Sequence, residues 1–314
     1  MCTAISLRGN HHVFGRTLDL ERSYGEVVAI TPQNMPLRFL HAGAWEEHFA
    51  LLGVACVRDG VALYFDAINE AGLGMAALNF PVSAVYHAPR SGGKNVASFE
   101  LIPYVLARSR SVADAKRLLR DVCITNEAFS RELPPSPLHW MVADQHAAMV
   151  VESVAEGVML YDDPFAVLTN EPSFPHHAAR MSEVLHLSPT PVSAVPFGDA
   201  MVSPLSRGTG AVGLPGDFSS PSRFLRASFA AAYTESGASE REEVARFFHV
   251  ADTVSVPCGV VRAEDGASVR TVYTACGCTD TLTYYTATYE RRALHAVSLV
   301  GIPRSERALL TFSL

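Results

Sequence analysis

A cysteine stands second in this chain, directly behind the initiator methionine, and FGRTLDLE follows with Arg16 and Asp19. Removal of Met1 would leave Cys2 with both a thiol and a free α-amine. An α-amine titrates near ~8 and a thiol near ~8.5, so one residue supplies a base and a nucleophile at neutral pH. That pairing suits acyl transfer: attack on an amide carbonyl, an acyl-thioester on Cys2, then hydrolysis by water. Such a site also needs a cation to favour thiolate, an acceptor to orient the amine, and donors for the developing oxyanion. Arg16 and Asp19 offer the first two. The same spacing also fits a plain structural ion pair, and Cys2 also fits a small apolar residue that merely starts a strand.

The elements that must carry these residues are strands. Segments 2–8, 12–19 and 26–33 read as short strands separated by turns at RGN and around RSYG. AWEEHFALLGVACV (44–57), GVALYFDAI (60–68) and LGMAALNF (73–80) keep that rhythm, with NEAG as a hairpin signal between the last two. Apolar spacing then turns helical over 98–109 and 111–122, with Ser98 and Ser111 as N-caps. Strands resume over 137–170, and a helix is expected over 176–187. The Pro- and Ser-rich stretch 188–217 reads as an extended excursion. Helices over 220–236 and 239–254 and strands near 269–276, 281–287 and 293–300 complete the chain. This order predicts an α+β architecture of two sheets between helical layers, and the lack of strict βαβ alternation disfavours a doubly wound parallel fold. No linker divides the chain, so residues 1–314 are expected to form one domain.

Composition narrows the function classes. Hydrophobic residues make up 48% of the 314 and charged residues 18%, which suits a globular protein with a large core. A formal charge of −7 and no cluster of Lys and Arg argue against nucleic acid as a partner. There is no secretory signal and no apolar run of membrane-spanning length, so a cytoplasmic protein without a membrane partner is expected. The six cysteines are too few and too scattered for a disulfide framework. Cys56, Cys123 and Cys258 are expected in the core. Cys276 and Cys278 form a CGC pair with no matching second pair, and His11–His12 and His176–His177 lack a third ligand at useful spacing. No metal and no cofactor are expected, and these histidines read as surface residues. His139 and Trp140 read as packing, and GLPGD lacks the lysine of a phosphate-binding loop.

MCTAI, FGRTLDLE, INEAGLGMAALNFP, FELIPYVL, SPLHWMVAD, VLTNEPSF and GLPGDFSSPSRFLR occur in that order along nearly the whole chain. Together they resemble the choloylglycine hydrolase family, which comprises bile salt hydrolases and penicillin V acylases. The resemblance implies a four-layer αββα sandwich of the N-terminal nucleophile hydrolase type. It implies that Cys2 is the nucleophile and its amine the base, with Arg16 beside the thiol and Asp19 holding the amine. It further matches Asn79 to the oxyanion-binding asparagine, Asn170 to the asparagine that positions amine and substrate amide, and Arg223 to the arginine of the SRF motif. Leu20 and Glu21 depart from the family, where many members carry an aromatic after the aspartate.

By the same resemblance the substrate is a small amphipathic amide whose acyl group is a steroid acid or a phenoxyacetyl group. Leu20, Tyr24, Phe65, Phe129 and Leu133 fall on predicted loops that match pocket-lining regions and would offer apolar surface to it. Asn79 is similar to the bile salt hydrolase branch, because a tyrosine is common there in penicillin V acylases. Conjugated bile salts are therefore the expected substrates, with penicillin V acylase or a related N-acyl amidase as the alternative. A non-catalytic carrier of amphipathic acids that keeps Met1 is the rival from another class. Segment 188–217 matches one that reaches a neighbouring subunit in relatives, which implies a homo-oligomer, a homotetramer by family resemblance.

Overall fold

The computed structural model describes residues 1–314. CTAISL and VFGRTLDL are buried on both faces, as strands in the middle of a sandwich are, and form β1 (Cys2–Leu7) and β2 (Val13–Leu20). They are followed by β3 (Glu26–Thr31), a small hairpin of β4 (Leu37–Phe39) and β5 (Gly43–Trp45), then β6 (Leu51–Arg58), β7 (Val61–Asn69) and β8 (Gly74–Asn79). Next come β9 (Lys94–Ala97), α1 (Leu101–Leu106), α2 (Val112–Leu119) and β10 (Val122–Thr125), which pairs in parallel with β9. Strands β11 (Leu138–Ala143), β12 (Ala148–Val154), β13 (Gly157–Asp162) and β14 (Val167–Leu168) lead into α3 (Phe174–Arg180). The hairpin β15 (Val195–Phe197) and β16 (Ala200–Val202) precedes α4 (Ser220–Tyr233) and α5 (Glu240–Asp252). The chain closes with β17 (Val261–Arg262), β18 (Ser268–Cys278), β19 (Thr283–Thr288), β20 (His295–Ser298) and β21 (Leu310–Ser313).

Two antiparallel sheets form the centre. One runs β14-β1-β2-β18-β19-β20, with β17 added on β18; the other runs β13-β12-β11-β8-β7-β6-β3-β21. Strands β1 and β2 face β7 and β8 across the gap, α4 and α5 cover the first sheet, and α1 and α2 cover the second. The result is the expected αββα order, with one apolar core between the sheets and under α4 and α5, and another beneath α1 and α2. Gly74 sets the approach of β8 to β2. A Cβ there would lie 2.4 Å from the Phe14 ring, so only glycine lets the strands come this close.

Capping chemistry that is explicit in the sequence is formed in the fold. Ser111 caps α2, its hydroxyl accepting from Asp114 N at 3.2 Å. Ser98 is no cap. It lies in a 3-10 turn (Ser98–Glu100) that Glu100 closes by accepting from Ala97 N at 3.3 Å. The expected strand over 44–57 breaks into β5 and β6, and the helix expected over 176–187 begins earlier, at Phe174, and ends in a 3-10 turn. The excursion 188–217 contains the exposed β15–β16 hairpin, and β21, not expected from the sequence, pairs with β3 at the edge of the second sheet.

Candidate active site

Strand register decides which side chains meet. In the β1–β2 ladder Cys2 pairs with Leu18 and Ala4 with Arg16. Opposed residues point to the same face and successive ones to opposite faces, so Cys2 and Arg16 both face the second sheet. Asp19, three residues beyond Arg16, points to the other face. The Arg16–Asp19 ion pair that their spacing allowed is therefore not formed. Arg16 donates to the main-chain carbonyls of Thr17 (3.1 Å), Phe65 (3.3 Å) and Ala77, while Asp19 accepts from Thr17 Oγ1 (3.1 Å) and Thr271 Oγ1 (2.6 Å).

Around Cys2 the polar groups converge. Cys2 N donates to Asn170 Oδ1 at 2.8 Å, and the same oxygen accepts from Arg223 Nη2 at 2.8 Å. Asn170 Nδ2 in turn donates to the Asn79 carbonyl at 2.7 Å, and Asn170 N to Ser220 Oγ at 2.8 Å. Arg223 reaches down from α4 and is wholly buried; its Nη1 donates to Cys2 O and to Thr3 Oγ1. Met1 occupies the end of the ladder, its amine donating to Asp19 O at 2.7 Å and its carbonyl accepting from Asp19 N at 3.0 Å. With Met1 in place, Cys2 N is an amide. Freed of Met1, the same nitrogen would already have an acceptor in Asn170 Oδ1.

Two cations bracket the thiol. Burial works against the charge on Arg16, but Cys2, Tyr273, Asp66 and Asp19 outweigh it and raise its pKa. Burial lowers the pKa of Arg223, with Asp19 and Cys2 pulling the other way. Both guanidiniums stay charged, since arginine is not deprotonated in proteins. Arg16 Nη2 is buried without a hydrogen-bond partner and is an open donor within the site.

Asp66 sits behind Arg16, fully buried, accepting from Tyr273 Oη at 2.6 Å and from Tyr284 Oη. Burial lifts its carboxyl to about 7, while Arg16 and the Tyr273 hydrogen bond pull it down. Two bulges create this cluster. The β6–β7 register slips so that Asp66 pairs with Val54 but Tyr64 with Ala55, leaving Phe65 as the extra residue. That slip turns Asp66 toward the first sheet and frees the Phe65 carbonyl for Arg16. A second slip, between Thr271 and Tyr273, sends Thr271 to Asp19 on one face and Tyr273 to Asp66 on the other. Sequence reasoning missed Asp66, Tyr273, Tyr284 and Thr271. The one available signal was a carboxylate inside the apolar strand VALYFDAIN.

The six catalytic candidates come together: Cys2, Arg16 and Asp19 on β1 and β2, Asn79 at the end of β8, Asn170 just past β14, and Arg223 in α4. The apolar candidates are more dispersed. Leu20 ends β2, Phe65 lies inside β7 rather than on a loop, and Tyr24 is exposed, with Arg22 5.4 Å from its ring centroid. Phe129 and Leu133 share one tight loop, Phe129 N donating to Leu133 O at 3.1 Å, and Phe129 packs edge-on against Phe99. Three other readings are corrected. Cys258 is exposed, whereas Cys56 and Cys123 are buried as expected. His12 is buried, bonded to Ser6 Oγ at 2.9 Å and Thr279 Oγ1 at 3.0 Å. His177 is buried against Phe224, its Nε2 2.9 Å from Asn170 O. A separate cavity of about 720 Å³, lined by residues such as Lys116, Arg120 and Leu160, includes none of the site candidates.

Comparison with known proteins gives the family and the fold. Residues 2–302 match the family described as linear amide C–N hydrolases, choloylglycine hydrolase family. The bile salt hydrolase/transferase of Lactiplantibacillus plantarum is 39% identical over 301 residues, covering 95% of this chain and 92% of that protein. The conjugated bile acid hydrolase of Lactobacillus gasseri is 37% identical over 290 residues, covering 91% and 92%. A solved variant of the conjugated bile acid hydrolase from Clostridium perfringens superposes with a TM-score of 0.92 at 31% identity, covering 100% of this chain and 97% of that one. Penicillin V acylase from Agrobacterium tumefaciens shares the fold, with a TM-score of 0.80 at 20% identity and coverage of 99% and 90%.

Proposed function

The chain belongs to the choloylglycine hydrolase family of linear amide C–N hydrolases, and we propose that it cleaves the amide bond of glycine- or taurine-conjugated bile salts through Cys2 once Met1 is removed. The observation that carries the mechanism is the 2.8 Å contact from Cys2 N to Asn170 Oδ1, with Arg223 on the same oxygen. It gives the future amine a fixed orientation. The amine takes the thiol proton, and Arg16 stabilises the thiolate. The sulfur attacks the substrate carbonyl, and the Asn79 side-chain amide donates to the oxyanion. The amine returns its proton to the leaving nitrogen, releasing glycine or taurine. Water, deprotonated by the same amine, then frees the acyl group from the thioester. Asp19, beside the strand end that Met1 vacates, holds the protonated amine.

Relatives named for bile salts and conjugated bile acids, at 37% identity and above, support the steroid substrate. So does Asn79, whose side chain donates without filling the acyl pocket as a tyrosine would. Leu20, Phe65, Phe129 and Leu133 would supply apolar surface, at roughly 25 cal/mol per Å² buried. Only the part of that energy realised in the transition state raises the rate. Glycocholate or taurocholate should therefore show the higher kcat/KM against penicillin V, and Asn79→Tyr should narrow the gap. A wild type that prefers penicillin V would overturn the substrate while leaving the nucleophile in place.

A homo-oligomer in the cytoplasm completes the proposal. The β15–β16 hairpin and its flanks present Val195, Phe197, Met201 and Leu205 to solvent, apolar surface that a second copy would cover. Six unpaired cysteines suit a reducing compartment. Light scattering on wild type and on Phe197→Ser with Met201→Ser tests the assembly: the variant should run at lower mass.

A further inference from the structure

The turn that joins β1 to β2 meets the turn that joins β18 to β19 at the end of the first sheet remote from Cys2. Val13 pairs with Cys278 as the last rung of their ladder, and Thr279 N donates to His12 O at 3.0 Å just beyond it. Continuing the antiparallel register places His11 opposite Asp280, with Cys278 two residues before Asp280 on the same face. Cross-strand neighbours and i, i+2 residues on one face are the side chains a sheet brings closest. His11 Nδ1, Cys278 Sγ and an Asp280 carboxylate oxygen accordingly lie within 4.8 Å of one another. We propose that these three side chains form a site for a zinc-class divalent cation, closing the two turns together, with the fourth position left to water.

The donor set selects the metal class. Thiolate, imidazole and carboxylate together suit zinc, whereas calcium and magnesium take oxygen ligands. Tetrahedral zinc with bonds of about 2.0–2.3 Å holds its ligand atoms roughly 3.3–3.8 Å apart. His11 Nδ1 and Asp280 Oδ2 are already at 3.5 Å, so only modest closing toward the sulfur is needed. His11 Nδ1 is buried yet has no hydrogen-bond partner, which leaves its lone pair or proton uncommitted. Asp280 Oδ2 is fixed in place by His12 N at 2.9 Å, the kind of outer contact that orients a ligating carboxylate. Glu240, which accepts from Thr281 Oγ1 at 2.6 Å, adds negative charge nearby. Sequence spacing concealed the cluster, because the ligand that completes His11 lies at the opposite end of the chain.

Cobalt(II) titration of the full chain tests it, because a cobalt–thiolate bond gives a near-ultraviolet charge-transfer band and tetrahedral cobalt gives intense visible bands. Wild type should develop both at one equivalent and lose them on adding zinc. Cys278→Ser should abolish the thiolate band. His11→Ala, at a half-exposed turn that should fold normally by circular dichroism, should weaken binding at least ~10-fold, and Cys2→Ser should leave the band unchanged. Zinc should raise the Tm of wild type and not of His11→Ala. No thiolate band in wild type, a band that survives His11→Ala at full affinity, or one that vanishes with Cys2→Ser would each overturn the site.

Discussion

Asn170 Oδ1 accepts hydrogen bonds from Cys2 N and Arg223 Nη2 at once, each at 2.8 Å, while its amide nitrogen donates to Asn79 O. One side chain thus ties Cys2 to β8 and α4. Asn170→Ala would leave two buried donors without an acceptor, a cost on the order of 3 kcal/mol in stability. It would also free the amine to rotate. We expect kcat/KM to fall by at least ~100-fold with a lower Tm. Full activity in the alanine variant would remove Asn170 from the mechanism.

The active chain should begin at Cys2. A peptide-bonded nitrogen delocalises its lone pair into the carbonyl and cannot act as a base, and with Met1 present that nitrogen is an amide donating to Asn170. Intact-mass measurement of fully active protein should show the chain lighter by one methionine. A fully active chain whose mass includes Met1 would require another base, whereas an inactive one that keeps Met1 would favour a non-catalytic carrier.

Cys2→Ser should lose at least ~100-fold in activity and keep its fold, because a serine hydroxyl is far less acidic than a thiol. Cys276→Ser should stay active but lose stability. Its sulfur is fully buried, and a hydroxyl there would need a partner. Mild oxidants should inactivate the wild type, with recovery by thiol reductants at the sulfenic stage. Activity lost in Cys276→Ser and kept in Cys2→Ser would place the chemistry elsewhere.

Asp66 should leave a mark on the pH dependence of stability. Burial lifts its folded pKa to about 7 from the usual 3.8. Between those values the folded chain holds a proton that the unfolded chain has released. The stability Asp66 contributes is therefore fully present below about 4 and is lost as pH rises through about 7. Buried Asp163, also lifted to about 7, acts in the same direction, while His12 and His177, held at about 4 by burial, act in the opposite one. Comparing wild type with Asp66→Asn cancels those three. Chemical denaturation at steps from pH 4 to pH 7 should show the variant gaining on wild type as pH rises. A constant difference would mean Asp66 does not hold its proton in that window.

The sequence by itself determined which side chains are candidates for the chemistry and that two sheets lie between helical layers. Cys2 behind Met1 and the change from strand to helical spacing are local facts of composition and periodicity, and the ordered motifs are local facts that carry a family resemblance. Spacing alone gave two sheets between helical layers and singled out Cys2, Arg16 and Asp19, whereas the αββα order and the grouping of Asn79, Asn170 and Arg223 with them came from the resemblance that the ordered motifs carry. Only the tertiary structure decided how those residues face one another. Arg16 and Asp19 read as possible partners along one strand, yet the pleat sends them to opposite sides, and each finds its contacts on another strand. Asp66 and Tyr273 meet because two bulges turn them toward the gap between the sheets, and a bulge is one residue of register that no local pattern announces. His11, Cys278 and Asp280 meet for the same reason: register is a property of paired strands, and the pairing of β2 with β18 joins segments from opposite ends of the chain.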